Sequence, residues 1–260
     1  MKYIFYTALF IALFSSCRNN ESRSIQTAKD YLHISNHLST VVPFVIKVSE
    51  DSTYLKQLLS NQSDTSFSCA SFNYISGDTT SMEGPIEFEI DFYQGCVDND
   101  GIAKAGLVYC ILQQPVSNIV AVCQVQFDGF KISNDFFWGG FNLTTKDINK
   151  WKVITTDYSI QSVKKQTTLL DTLLFCKVST NSFNSLDDQF IISSIGLLNQ
   201  SVEGYSTDLV KIVGCNWFSQ GIIELDIEDQ TKQIINLGAG DCDNEALLEI
   251  GAYDFVVQMN

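Results

Sequence analysis

Proline, histidine and basic residues are all scarce in this 260-residue chain, and each shortage closes off a class of explanation. With only Pro43, Pro85 and Pro115, and no run rich in Gly, Ser or Pro, no segment reads as a linker between domains. One main domain is expected, long enough to bury a substantial core. Sixteen Lys and Arg stand against thirty Asp and Glu, for a formal charge of −14. Such a surface repels phosphate backbones, and no basic patch interleaved with aromatics occurs, so nucleic acid is not expected as a partner. The only histidines, His33 and His37, stand four residues apart and share a helix face, without the glutamate of a zinc-protease motif. They read as a solvated or packed pair, and no third ligand for a metal is evident. Charged residues make up 18% and apolar ones 45%, which argues against disorder.

The start of the chain is the most specific feature. Met1-Lys2 is a short positive opening, and residues 3–14 form an apolar run, shorter than the roughly 20 residues that span a bilayer. The run ends in Leu13-Phe14-Ser15-Ser16-Cys17 and turns polar at Arg18-Asn19-Asn20-Glu21. This resembles a bacterial lipobox, in which small residues precede a cysteine that is acylated and becomes the new N-terminus. The expected partner is therefore a lipid bilayer, reached through acyl chains on Cys17 such as palmitate. Each buried CH₂ adds roughly 0.8 kcal/mol of membrane affinity, and two or more chains make a lasting anchor. The expected location is the cell envelope, at the outer membrane.

Residues 1–16 are read as the signal peptide, 17–66 as a tether with marginal helices at 25–42 and 53–59, and 67–260 as a β domain. Eighteen Phe and ten Tyr, with frequent Val, Ile and Thr, favour strands. In Pro85-Ile86-Glu87-Phe88-Glu89-Ile90-Asp91-Phe92, apolar and acidic residues alternate, as a sheet with one buried face requires. Residues 223–228 repeat the pattern. Further strands are expected at 107–113, 119–127, 136–144, 152–159, 173–179, 190–196, 232–237, 247–250 and 254–259. Turn chemistry separates them, as at Ser133-Asn134-Asp135 and Gly251-Ala252. The fold class is all-β, with antiparallel meander sheets forming a sandwich or an open barrel behind a short, partly helical tether.

Eight cysteines occur. The spacing of 27 recurs between Cys69 and Cys96 and between Cys215 and Cys242. The surroundings of the second cysteine also correspond. A strand runs into Gly95-Cys96-Val97-Asp98-Asn99 in one case and Gly240-Asp241-Cys242-Asp243-Asn244 in the other. We read this as an internal repeat with one disulfide in each half. Cys110 and Cys123 flank the turn near Pro115; pairing 112 with 121 would set them opposite, as a third bridge or as two buried thiols. Cys176 is left as a lone, buried cysteine.

Several of these stretches together resemble a group of uncharacterised, lipid-anchored all-β envelope lipoproteins of the Bacteroidota. The residues that carry the resemblance are Ile90-Asp91-Phe92, Gly95-Cys96, Asp98-Asn99-Asp100-Gly101 and Gly106, then Gly238, Gly240, Cys242-Asp243-Asn244 and Gly251. The chain departs from the group at Tyr93, where Gly is usual, and at Lys104, where Arg is usual. The resemblance implies fold and address, and it brings no catalytic residue.

No catalytic constellation is found. Asp98, Asn99, Asp100 and Gly101 resemble the opening of a calcium loop, with Asp243, Asn244 and Glu245 as a second carboxylate cluster. The glutamate that closes an EF-hand loop would fall at Tyr109, so turns built on Asx side chains are expected. No cofactor and no metal is assigned; Asp98, Asp100 and Asp243 come nearest. Phe136, Phe137 and Trp138 break the alternation, and at least one must face away from the core unless a bulge intervenes at Gly139-Gly140. They are the ligand-binding candidates, for a carbohydrate or an envelope protein. The function expected is a membrane-anchored, non-catalytic binding or structural module, ligand open. The alternative is a glycoside-type envelope hydrolase using paired carboxylates.

Overall fold

The computed structural model describes residues 2–60, 68–82, 84–98, 101–113, 122–163, 165–178, 187–228 and 230–259, with side chains from residue 22 onward. The alternating stretches become strands: β1 (Ser71–Ser76), β2 (Ile86–Asp91), β3 (Cys96–Val97), β4 (Ala103–Leu112), β5 (Val122–Ile132), β6 (Asp135–Asp147) and β7 (Lys150–Gln161). They continue with β8 (Gln166–Val178), β9 (Gln189–Leu198), β10 (Val202–Ile212), β11 (Phe218–Ile227), β12 (Gln233–Ala239), β13 (Glu245–Ile250) and β14 (Tyr253–Gln258). All fourteen lie in one antiparallel sheet, in chain order apart from β3, which pairs beside β4. The sheet is an open meander with β1 and β14 at its ends. Of the two expected architectures, the sandwich of two sheets is thereby set aside: one sheet supplies every strand among the described residues.

Alternation sets the two faces. Ile86, Phe88 and Ile90 of β2 are buried while Glu87, Glu89 and Asp91 point outward. The inner face is covered by helix α1 (Lys2–Glu50), followed by α2 (Ser52–Leu59). Asp51 caps α2, accepting from Thr53 and Tyr54 N–H. The expected tether is thus helical, but from Ser24 onward α1 is also the centre of the core. Residues 41–46 are buried without a break, which happens only when a helix is enclosed on all sides. Leu32, Ile34, Leu38, Val42, Val45 and Val48 are buried here, each contributing about 1.5–3 kcal/mol. Hydroxyls that would otherwise be stranded in this core donate one turn back along the helix. Ser39 donates to Ser35 O at 2.9 Å and Ser49 to Val45 O at 2.7 Å.

Contacts from α1 to several strands show that the sheet curls around it. The Tyr158 hydroxyl of β7 donates to Ile34 O at 3.4 Å. The Lys211 ammonium of β10, itself buried, donates to Asn36 Oδ1 at 3.1 Å, and Asn36 Nδ2 donates to Asn216 O at 2.6 Å. Close approach is won by missing side chains on the sheet. A Cβ on Gly204 of β10 would lie 2.2 Å from Tyr31 Cε2, so only glycine admits the tyrosine ring there.

Both disulfides with the 27-residue spacing are present, Cys69–Cys96 and Cys215–Cys242. Each ties the approach to one hairpin, β1–β2 or β11–β12, to the segment that follows it, β3 in the first case and a loop in the second. Closing 27 residues corresponds to about 3.5 kcal/mol of loop entropy in the unfolded chain. Cys110 and Cys123 are free, buried thiols. The expected register is corrected by two residues: Leu112 faces Cys123 and Cys110 faces Val125, which leaves the thiols diagonal to one another. Cys176 is free and half-buried. Tyr93 holds a φ of +53°, a left-handed conformation that glycine adopts without strain.

Candidate functional site

The site is built on α1 and the β5–β6 hairpin. His33 and His37 lie one helical turn apart on the same face, with ring centroids 4.5 Å apart in an edge-on arrangement. Facing them is Asp135, the first residue of β6, delivered by the two-residue turn Ser133-Asn134 between Ile132 and Asp135, which pair. His33 Nε2 is 2.9 Å from Asp135 Oδ2, and His37 Nε2 is 3.7 Å from the same oxygen. His37 also packs edge-on against Phe137, centroids 5.4 Å apart. Burial lowers the His37 imidazole to about 4, so it is neutral at physiological pH. Burial by itself would raise the Asp135 carboxyl, but the two imidazoles hold it well below the usual carboxylate range.

Above this trio opens a pocket of about 690 Å³, lined among others by Lys29, His33, Asn134, Asp135, Ser162 and Lys165. Lys165 forms an ion pair with Asp30 at its edge. A smaller depression of about 330 Å³ lies beside it, lined by Phe136, Trp138 and Gln161. Asn134 and Ser162 line both, whereas Asp135 and the Phe136 and Trp138 rings stand on opposite faces of β6, so the smaller depression is the aromatic one. Its lip carries Phe136, 37% exposed, and Trp138, 47% exposed. The Lys131 ammonium sits over the Phe136 ring at 3.9 Å from its centroid.

The aromatic run keeps strict alternation up to a bulge. Phe136 and Trp138 face out, whereas Phe137, the third ligand-binding candidate, is fully buried and is corrected to a core residue. Register shifts between Trp138 and Gly140, where Gly139 takes a φ of +72°.

The acidic candidates are in other surroundings. Asp98 is buried, with Lys104 Nζ at 3.2 Å and the backbone and hydroxyl of Ser68 at 2.7 and 2.8 Å. Its oxygens hold a buried ammonium and the segment before β1. Asp243 is exposed and accepts from Glu245 N–H at 3.0 Å, an Asx turn. Asp100 lies outside the described residues. Cys17 lies within α1, its side chain outside those described.

Asp135 is the residue that sequence reasoning missed, and a signal for it existed. Asp135 and Phe137 are two apart on one strand and so share a face, and Phe137 belongs to the core. A carboxylate on that face needs a partner. The partners, His33 and His37, lie about a hundred residues away in sequence, and only the fold brings them together. Among the described residues no helix is long and apolar enough to cross a membrane. No protein family, curated protein or solved structure matches the chain.

Proposed function

We propose that the chain is a lipid-anchored envelope protein, held through Cys17, that binds a polar ligand of the saccharide class in the groove beside Trp138, without transforming it. The observation that carries this reading is the pairing of two outward aromatic rings with a polar trough. Aromatic faces stack on the C–H faces of sugars, and amides and hydroxyls satisfy the hydroxyls. Trp138, Phe136, Asn134, Gln161 and Ser162 supply both kinds of contact side by side.

Cys17 and the larger cavity lie toward the same end of α1. Arg23, Gln26 and Asp30 of α1 line a second cavity of about 470 Å³ that shares Gln26, Asp30 and Lys165 with the larger one. Cys17 precedes Arg23 by six residues, roughly 9 Å along a helix. An acylated Cys17 therefore holds this end near the bilayer surface, within reach of glycans attached there. The hydrolase alternative finds less support. Asp98 is taken up by Lys104, and the described pocket at Asp243 is lined by other residues than Asp98.

Glycan-array binding by the full chain and by Trp138→Ala tests the proposal. Loss of binding by about tenfold or more in the variant is expected, since a stacked aromatic contributes on the order of 1.5 kcal/mol. Equal binding by both proteins, or no glycan bound by the full chain, would overturn it.

A further inference from the structure

The geometry points to a binding site for a zinc-class divalent cation formed by His33, His37 and Asp135. This goes beyond the saccharide reading and does not rest on it. The three donor atoms, one per side chain, all lie within 4.8 Å of one another. Ligands at about 2.0–2.2 Å around a tetrahedral ion sit roughly 3.4 Å apart. The two spacings to Asp135 Oδ2, 2.9 and 3.7 Å, fall either side of that edge. An ion between them needs a few tenths of an ångström along those two edges, and the two imidazole nitrogens, within 4.8 Å of one another, close by up to about 1.4 Å.

The donor set selects the ion. Two imidazole nitrogens and one carboxylate oxygen suit Zn²⁺, Co²⁺ or Ni²⁺, whereas Ca²⁺ and Mg²⁺ prefer oxygen shells. Placement selects the type of site. His37 is the inner ligand, packed on Phe137, while His33 and Asp135 line the large pocket. Three protein ligands with a remaining position toward an open cavity is the arrangement of exchangeable, water-bearing zinc sites. The acidic surface, at −14 overall, concentrates cations around it. One positive group stands behind the trio: Lys211 is near enough to act on His37, and its ammonium is directed to Asn36 Oδ1.

The competing description is a hydrogen-bonded trio that only fastens α1 to β6. Titration of chelator-treated full chain with Co²⁺, in excess Mg²⁺ to occupy surface carboxylates, separates the two by the visible absorption of low-coordinate cobalt. One Co²⁺ per chain, displaced by Zn²⁺, is expected. His33→Gln and Asp135→Asn should each weaken binding by more than about 100-fold, because removing even an outer-shell partner costs 10–100-fold. Urea unfolding of the variants checks that they are folded. Absence of the cobalt spectrum with the unmodified chain would overturn the proposal without recourse to any variant. So would one-to-one binding that survives both substitutions in folded protein. Trp138→Ala should leave the cobalt titration unchanged, so the cation site and the saccharide site can fail separately.

Discussion

Asp171 provides the sharpest test of the way the sheet encloses α1. It lies on the inner face of β8, opposite Gly196 of β9, and is 2% exposed. A Cβ on Gly196 would come within 2.7 Å of the carboxyl carbon, so the side chain fills the space that the glycine leaves. Neither carboxyl oxygen has a hydrogen bond of regular geometry. Burial pushes the group from 3.8 up to about 7, opposed by the Thr172 N–H and the Ser194 hydroxyl nearby. A folded-state value above the unfolded one means that the folded protein holds the proton more tightly. The stability this contributes is complete below about pH 4 and is lost as pH rises to about 7. The gap from 3.8 to about 7, at about 1.4 kcal/mol per pH step, amounts to ~4 kcal/mol. Asp171→Asn keeps the shape and removes the titration. Urea unfolding of both proteins between pH 4 and pH 8.5 should show the variant gaining on the parent by ~4 kcal/mol across that interval. Other titrating groups cancel in the difference. A stability difference that stays flat with pH would refute the claim that a carboxyl is sealed between helix and sheet.

Two other outcomes follow from the packing. Gly204→Ala should destabilise by about 1–3 kcal/mol through collision with Tyr31, read from the urea midpoint, and the loss should shrink in a Tyr31→Ala background; an unchanged midpoint would mean that α1 does not press on β10. Unfolded without reduction, the full chain should present three reactive thiols, Cys110, Cys123 and Cys176, with both disulfides intact and Cys17 acylated. A fourth thiol would show Cys17 unmodified, and a count of one would show Cys110 bridged to Cys123.

Much of the sheet was legible because its signal is local. Strands β2 and β11 are written as apolar–acidic alternation, and each hairpin places its polar turn next to its own strands. β10 was not legible, and its composition explains why. Its inward positions include Gly204, Ser206 and Lys211, and a bulge at Asp208, with a φ of +54°, breaks the period. Small and polar residues face inward there because a helix carrying Tyr31 and Asn36 lies against them. The disulfides were legible because the two hairpins repeat one spacing. The Cys110–Cys123 relationship was not, since a register slip of two residues leaves the same face buried and the alternation unchanged.

Read without coordinates, the chain declares most of its strands, their antiparallel order, its paired cysteines and an apolar run at residues 3–14. These depend on neighbours in sequence, where side-chain period and turn chemistry act directly. Only the tertiary structure decided that one sheet, not two, supplies the fold, and that α1 runs through its middle. The same enclosure brought Asp135 to His33 and His37 and put Asp171 out of reach of water. A helix buried on every side carries no one-sided apolar stripe to announce it, and a buried carboxylate takes its partners from wherever the sheet happens to curl.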